Sequence, residues 1–154
     1  MAKQIWFLRH GEAEPHDSRA DDADRPLTAT GERQSEMVGR ALARLGCEFE
    51  AIFASPKVRA LDTAKRAAQL LGVEAVVHKP LGSGFDRKEA LALAESYERV
   101  MVVGHEPDFS QVIGDLTGGR VDMKKGGVAA VRLDGSKGEL IVLLRPKDLE
   151  TLAV

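Results

Sequence analysis

The chain has 154 residues, 44% hydrophobic and 30% charged, which fits one soluble domain spanning residues 1–154 with one core. Its 22 basic and 24 acidic residues give a formal net charge of -2, so nothing favours a nucleic-acid or membrane-surface partner. The lone Cys47 excludes an intrachain disulfide, and no apolar run reaches the ~20 residues that a membrane helix needs. A reducing compartment fits this cysteine usage. The apolar run at Ile5–Leu8 is too short for a signal peptide and ends at Arg9 and His10, so a cytoplasmic location is expected.

Residues 4–8 (QIWFL) predict a buried strand. A polar, Asp-rich loop runs from Gly11 to Leu27. A helix is predicted from about Thr28 to Leu45, with Met37, Val38, Ala41, Leu42 and Leu45 on one stripe and Gly46 as its stop. Residues 50–54 predict a second strand. Ser55-Pro56 then predicts the N-cap and first position of a helix ending at Gly72. A third strand at 74–77, a Gly-containing loop at Leu81–Gly84 and a helix at 86–95 follow. Residues 99–103 (RVMVV) predict a fourth strand. Beyond it, a helix starts near Pro107, with Phe109, Val112, Ile113 and Leu116 at i, i+3, i+4 and i+7. Residues 128–133 and 139–144 predict a hairpin closed by Asp134–Gly138. This alternation predicts an α/β fold: three α/β/α layers around a mostly parallel central sheet with an antiparallel edge.

In such sheets, ligands sit beyond the carboxyl ends of the strands. The first strand delivers Arg9, His10 and Gly11 there. The second delivers Ser55 and, one helical turn on, Arg59. The fourth delivers Gly104, His105 and Glu106. Two arginines and two histidines are therefore expected on one edge. A guanidinium fork matches phosphate oxygens, and two forks can neutralise charge that builds up in phosphoryl transfer. A neutral imidazole is a competent nucleophile near pH 7, and a second histidine, if protonated, adds a donor. Gly11 has no side chain, which would let the backbone approach a ligand closely. Ser55 is first a cap and second a candidate ligand contact.

The sequence resembles the histidine-phosphatase superfamily at this point. Leu8-Arg9-His10-Gly11-Glu12 looks like its RHG signature. Arg25-Pro26-Leu27-Thr28 with Gly31 and Gln34, Ser55-Pro56-Lys57-Val58-Arg59-Ala60 with Thr63-Ala64, and Val103-Gly104-His105-Glu106-Pro107 with Ser110 resemble segments of its small SixA-type phosphohistidine phosphatases, in order. Lys125-Gly126-Gly127 is a weaker match. The resemblance implies that His10 is the phosphorylated nucleophile, that Arg9 and Arg59 bind phosphoryl oxygens and that His105 completes the pocket. It implies no metal or other cofactor. The expected partner is a phosphorylated protein or peptide carrying phosphohistidine, or a small phosphate ester, and a monomer is expected.

Two departures stand out. Position 62 holds Asp62 where many relatives carry Gln; a helix-surface position without catalytic effect is expected. No general acid is evident, and Glu12, Asp86 and Glu106 are the candidates. Glu12 and Glu106 are also candidate substrate contacts. An alkoxide leaving group needs a proton, whereas an imidazole (pKa ~6.5 when protonated) acquires one easily near neutrality. The residues therefore favour cleavage of a phosphorus–nitrogen bond in phosphohistidine. A small-molecule phosphomonoesterase and a phosphate-binding module without turnover are the alternatives. His16 and His78 read as surface or loop residues, and four histidines without tight spacing or a cysteine pair do not read as a metal site. The acidic run Asp17–Asp24 reads as a solvated loop able to shape specificity.

Overall fold

The computed structural model describes residues 3–154. Six strands form one sheet: β1 (Lys3–Arg9), β2 (Ala51–Ala54), β3 (Ala75–Val77), β4 (Arg99–Gly104), β5 (Val128–Asp134) and β6 (Lys137–Leu144). Their order is β3-β2-β4-β1-β5-β6. The first four in that order run parallel, β5 pairs antiparallel with β1, and β6 pairs antiparallel with β5. This is the mixed α/β sheet expected from the sequence.

Helices α1 (Ala29–Arg44), α2 (Val58–Leu71) and α5 (Pro146–Leu152) cover one face, and α3 (Arg87–Ser96) and α4 (Asp108–Thr117) cover the other. The central strands are apolar on both sides, so alternate residues feed two cores. Trp6, Leu8, Met101 and Val103 pack with Val38, Leu42, Ala64 and Leu149. Ile5, Phe7, Val100 and Val102 pack with Ala90, Phe109, Val112 and Ile113. Phe109 is fully buried, edge-on to Phe7 at 5.1 Å and Phe85 at 6.0 Å. Burying one such ring stabilises the fold by about 2–3 kcal/mol.

Adjacent strands β1 and β4 send the chain to opposite faces, one into α1 and the other into α4. Their carboxyl ends therefore diverge and leave a crevice, the usual ligand position in open α/β sheets.

Two details differ from the sequence reading. The second helix begins at Val58 rather than at Ser55-Pro56, with Lys57 as its cap residue and no side-chain cap bond. Ser55 Oγ instead accepts the Lys57 N–H at 3.1 Å, so its hydroxyl closes a turn ahead of the helix. The short α5 was missed. Its apolar signal is only Leu149, Leu152 and Ala153, but Pro146 at the first position and Asp148, whose carboxylate accepts the Arg145 backbone N–H, were legible start signals. The hairpin turn is two residues, with Gly135 at φ +61°, which only glycine adopts readily. Among the described residues, no helix is long and apolar enough to cross a membrane.

Candidate active site

His10 follows β1 and His105 follows β4, so the crevice holds both. Parallel pairing continues past the strands: the His10 N–H donates to the Gly104 carbonyl at 3.1 Å. The two imidazole centroids lie 5.2 Å apart. His10, His105, Arg9, Arg59 and Glu106 all line one cavity of about 170 Å³. A larger open groove, about 760 Å³, lies at the other strand ends beside Lys3, Arg132 and Ser136. It has no histidine or cysteine and is remote from this chemistry.

The orientation of His10 follows from its neighbours. Its Nδ1 lies 2.7 Å from the Gly11 carbonyl oxygen. A carbonyl only accepts, so Nδ1 carries the proton and Nε2 keeps a free lone pair. Burial, followed by the nearby Arg59, Arg9 and Lys125 charges, lowers the His10 pKa to about 4, against the opposing Gly11 bond. The ring is neutral at pH 7. His105 is lowered further, to about 3, by burial first, then by His10, Arg59 and Lys57. It is therefore neutral in the free site, not the protonated donor that the sequence reading allowed for. His105 Nε2 lies 2.8 Å from Ser55 Oγ, which fixes the ring.

The arginines are prepared differently. Arg9 Nη1 donates to the Met123 carbonyl at 2.8 Å, and its buried Nε has no partner among the described residues. Arg59 is 5% exposed. Its Nη1 and Nη2 donate to the Asp22 backbone oxygen at 2.9 Å and to Asp22 Oδ2 at 3.1 Å, and its buried Nε is unpartnered. Arg59 also stands in the first turn of α2, where the helix dipole disfavours a cation by about 0.3–1 kcal/mol. Two guanidinium groups and a neutral imidazole thus line one cavity, a set suited to an oxyanion.

The supporting loop explains the sequence motifs. Thr63 Oγ1 donates to the Arg59 carbonyl at 2.7 Å and accepts the Gly11 N–H at 3.1 Å. This buried hydroxyl ties the helix of Arg59 to the peptide that holds His10. Gln34 Oε1 accepts the Glu12 N–H at 2.9 Å. A Cβ on Gly31 would lie 2.0 Å from the Glu12 carbonyl oxygen, and one on Gly11 would lie 2.7 Å from that of Gly31. These glycines let α1 press against the nucleophile loop.

Several candidates lie elsewhere. Gly11 does not line the cavity; its missing side chain serves the contact with Gly31, not approach to a ligand. Ser55 stands behind His105. Glu12 is exposed, and its Oε2 accepts from Thr28 Oγ1 at 2.7 Å. Asp86 caps α3, accepting the Glu89 N–H at 2.9 Å. Of the three acid candidates only Glu106 reaches the cavity, with Oε1 accepting the Ser110 N–H at 2.8 Å. Asp62 pairs with Arg66 on the outer face of α2 at 3.0 Å. His78 is half-buried near Glu89, packed against Phe53.

Sequence reasoning missed five members. Asp22 stays exposed in its loop, as expected, but its carboxylate accepts from Arg25 Nε at 2.8 Å as well as from Arg59. The Arg25 bond and the Arg59 charge hold its carboxyl well below the usual carboxylate range. Arg25, Lys57 and Lys125 line the cavity. Arg25 stood inside a recognised segment, and its burial is what gives it away. His16 is exposed but also reaches the mouth, 3.5 Å from Asp22. Among the described residues, no group of three His, Cys, Asp or Glu is placed to hold a metal ion.

Two depressed imidazoles make stability depend on pH. Unfolded, both bind protons near pH ~6.5; folded, they do so only near 4 and 3. Their contribution is full above pH ~6.5 and is lost as pH falls toward the folded values. The urea midpoint is expected to drop between pH 6.5 and 5, above the range in which carboxylates titrate. The drop should shrink in His105→Gln. A flat midpoint in the wild type over that range contradicts the buried neutral pair.

The sequence model of the family described as histidine phosphatase superfamily (branch 1) matches residues 5–99. An uncharacterised protein of Picosynechococcus sp. (strain ATCC 27264 / PCC 7002 / PR-6) is 33% identical over 94% of this chain and 97% of its own. The phosphohistidine phosphatase SixA of Escherichia coli (strain K12) is 28% identical over 86% of this chain and 87% of its own. A solved structure of the protein histidine phosphatase SixA complexed with tungstate superposes with a TM-score of 0.85, at 28% identity, covering 95% of this chain and 99% of that one.

Proposed function

The chain belongs to the histidine phosphatase superfamily, branch 1, and from that premise we propose that it hydrolyses phosphohistidine on a protein through a phosphoryl group carried on His10. The observation that carries this reading is the His10 Nδ1–H bond to Gly11, which leaves the Nε2 lone pair free on a neutral ring that lines one cavity with Arg9 and Arg59. Arg9 and Arg59 hold the phosphoryl oxygens. The tungstate in the SixA structure is a tetrahedral oxyanion of the kind such donors suit.

His10 Nε2 attacks phosphorus as the phosphorus–nitrogen bond of the substrate breaks. The departing imidazole nitrogen takes a proton from solvent. Water then attacks the phosphoryl group on Nε2, releasing inorganic phosphate and restoring neutral His10. Guanidinium charge stabilises both transition states.

The choice of phosphohistidine rests on proton supply. Asp22 is ionised and engaged by Arg25 and Arg59. Glu106 has one carboxylate oxygen committed to Ser110. Among the described residues Glu106 is then the single lining carboxyl on which an alkoxide could draw, whereas a departing imidazole needs no such donor. A phosphohistidine peptide should therefore be cleaved faster than a phosphoserine peptide by about 10²-fold or more in kcat/KM, the scale of one general acid. Equal rates on both peptides sink the phosphohistidine assignment and favour a phosphomonoesterase with Glu106 as its acid.

A further inference from the structure

The cavity over His10 carries more positive charge than one phosphoryl group uses. Arg9, Arg25, Lys57, Arg59 and Lys125 line it against a single lining carboxylate, Glu106. Asp22 offsets one more through Arg25 and Arg59, leaving three positive charges from five for a phosphoryl group that brings two negative ones. The arginines already have protein acceptors: Met123 for Arg9, Asp22 and Glu14 for Arg25, and Asp22 for Arg59. Lys57 and Lys125 differ, because among the described residues neither ammonium makes a hydrogen bond or ion pair. Neighbouring Lys124 does, with Asp122 at 2.9 Å.

Main-chain contacts hold both lysines at the mouth. The Lys57 N–H is bound by Ser55 Oγ, next to the His105 ring. Lys57 also caps α2 at its positive end, with no acidic residue in the first turn. Lys125 precedes Gly126, whose N–H donates to the carbonyls of Arg9 and His10 at 3.0 and 2.9 Å. The order β2-β4-β1-β5 places Lys57, after β2, on one side of the histidine pair, and Lys125, before β5, on the other. An unpaired cation on each side of an anion site strongly favours added negative charge there.

We infer that Lys57 and Lys125 extend the anion site beyond the phosphoryl group, and that the preferred substrate carries a second anionic group close to the phosphoryl group being removed. This rests on the phosphatase reading above. A carboxylate flanking phosphohistidine on a protein and a second phosphate on a small molecule supply the same chemistry.

Calorimetric binding of methylphosphonate and methylenediphosphonate, at one ionic strength, tests this extension without turnover. Wild type should bind the diphosphonate tighter by about tenfold or more, an advantage that should largely vanish in K57A/K125A. No advantage in wild type, or one that survives the double substitution, overturns the inference. Turnover then locates the second charge. Phosphohistidine peptides flanked by Glu or by Ala, and propane-1,3-diyl bisphosphate against propyl phosphate, are compared in both proteins. A lysine-dependent preference for the Glu peptide places the charge on a protein, and one for the bisphosphate places it on a small molecule. Neither preference, with substrates turned over, overturns the inference. If wild type turns over none of these compounds the phosphatase reading fails, while the phosphonate ratio still decides the extension.

Discussion

His10→Ala is expected to lower kcat/KM on a phosphohistidine peptide by at least ~10⁴-fold, the scale on which loss of a covalent nucleophile leaves only binding and charge stabilisation. The arginine donors and His105 remain in this variant, so phosphate affinity should survive while turnover does not. That split separates a missing nucleophile from a collapsed pocket. The fold should hold, because the loop is also fixed by the His10 N–H on Gly104, the Gly11 N–H on Thr63 and the Glu12 N–H on Gln34. A second consequence ties the kinetics to the electrostatics. With one of the two depressed imidazoles removed, the fall in urea midpoint between pH 6.5 and 5 should lessen. Residual activity within about tenfold of wild type would show that another group accepts the phosphoryl.

Arg59→Ala carries the second largest expected effect, on the order of 10³-fold in kcat/KM, at the upper end of losing one preorganised oxyanion donor. Two changes combine. The phosphoryl group loses a fork, and Asp22 loses one of its two arginine partners while staying beside the cavity as an anion. A carboxylate that had oriented Arg59 then repels the substrate. Adding Asp22→Asn to Arg59→Ala should therefore restore about tenfold of the loss, whereas Asp22→Asn alone should impair an otherwise intact enzyme by freeing the guanidinium to move. Arg59→Lys keeps the charge and loses the fork, so it should fall between wild type and Arg59→Ala. Steady-state kinetics on wild type, Arg59→Ala, Asp22→Asn and the double variant form a double-mutant cycle. Strict additivity would mean that Asp22 acts independently of Arg59.

Much of this site was legible in the sequence because its members directly follow strands. Once QIWFL and RVMVV read as parallel strands, the sheet rule brought His10 and His105 to one edge. Arg59 followed from its place one turn into α2. Side chains that arrive from irregular backbone were not legible. Asp22 sits in a short 3-10 turn, Asp22–Asp24, within an acidic run, and composition alone does not reveal which of several aspartates pairs with Arg59. Lys125 comes from the connection before β5, where only the Gly126 turn sets its position. Glycines misled in another way: Gly11 fits a close ligand approach as well as a close helix approach, and only the Gly31 contact separates them. Ser55 makes the bond of a cap, accepting the N–H two residues on, but the regular helix α2 begins only at Val58, so that bond closes the turn ahead of it.

The central claim is that the phosphoryl group passes through Nε2 of His10. Its most direct test is to mix the protein with phosphoramidate, quench in alkali within the turnover time and map phosphorylation by mass spectrometry. Trypsin releases His10–Arg19, which also holds His16, so fragmentation must assign the label between the two. The account predicts an alkali-stable, acid-labile phosphoryl group on His10, absent from His10→Ala. Turnover without that label, or a label on His16, His105 or a carboxylate, would contradict it.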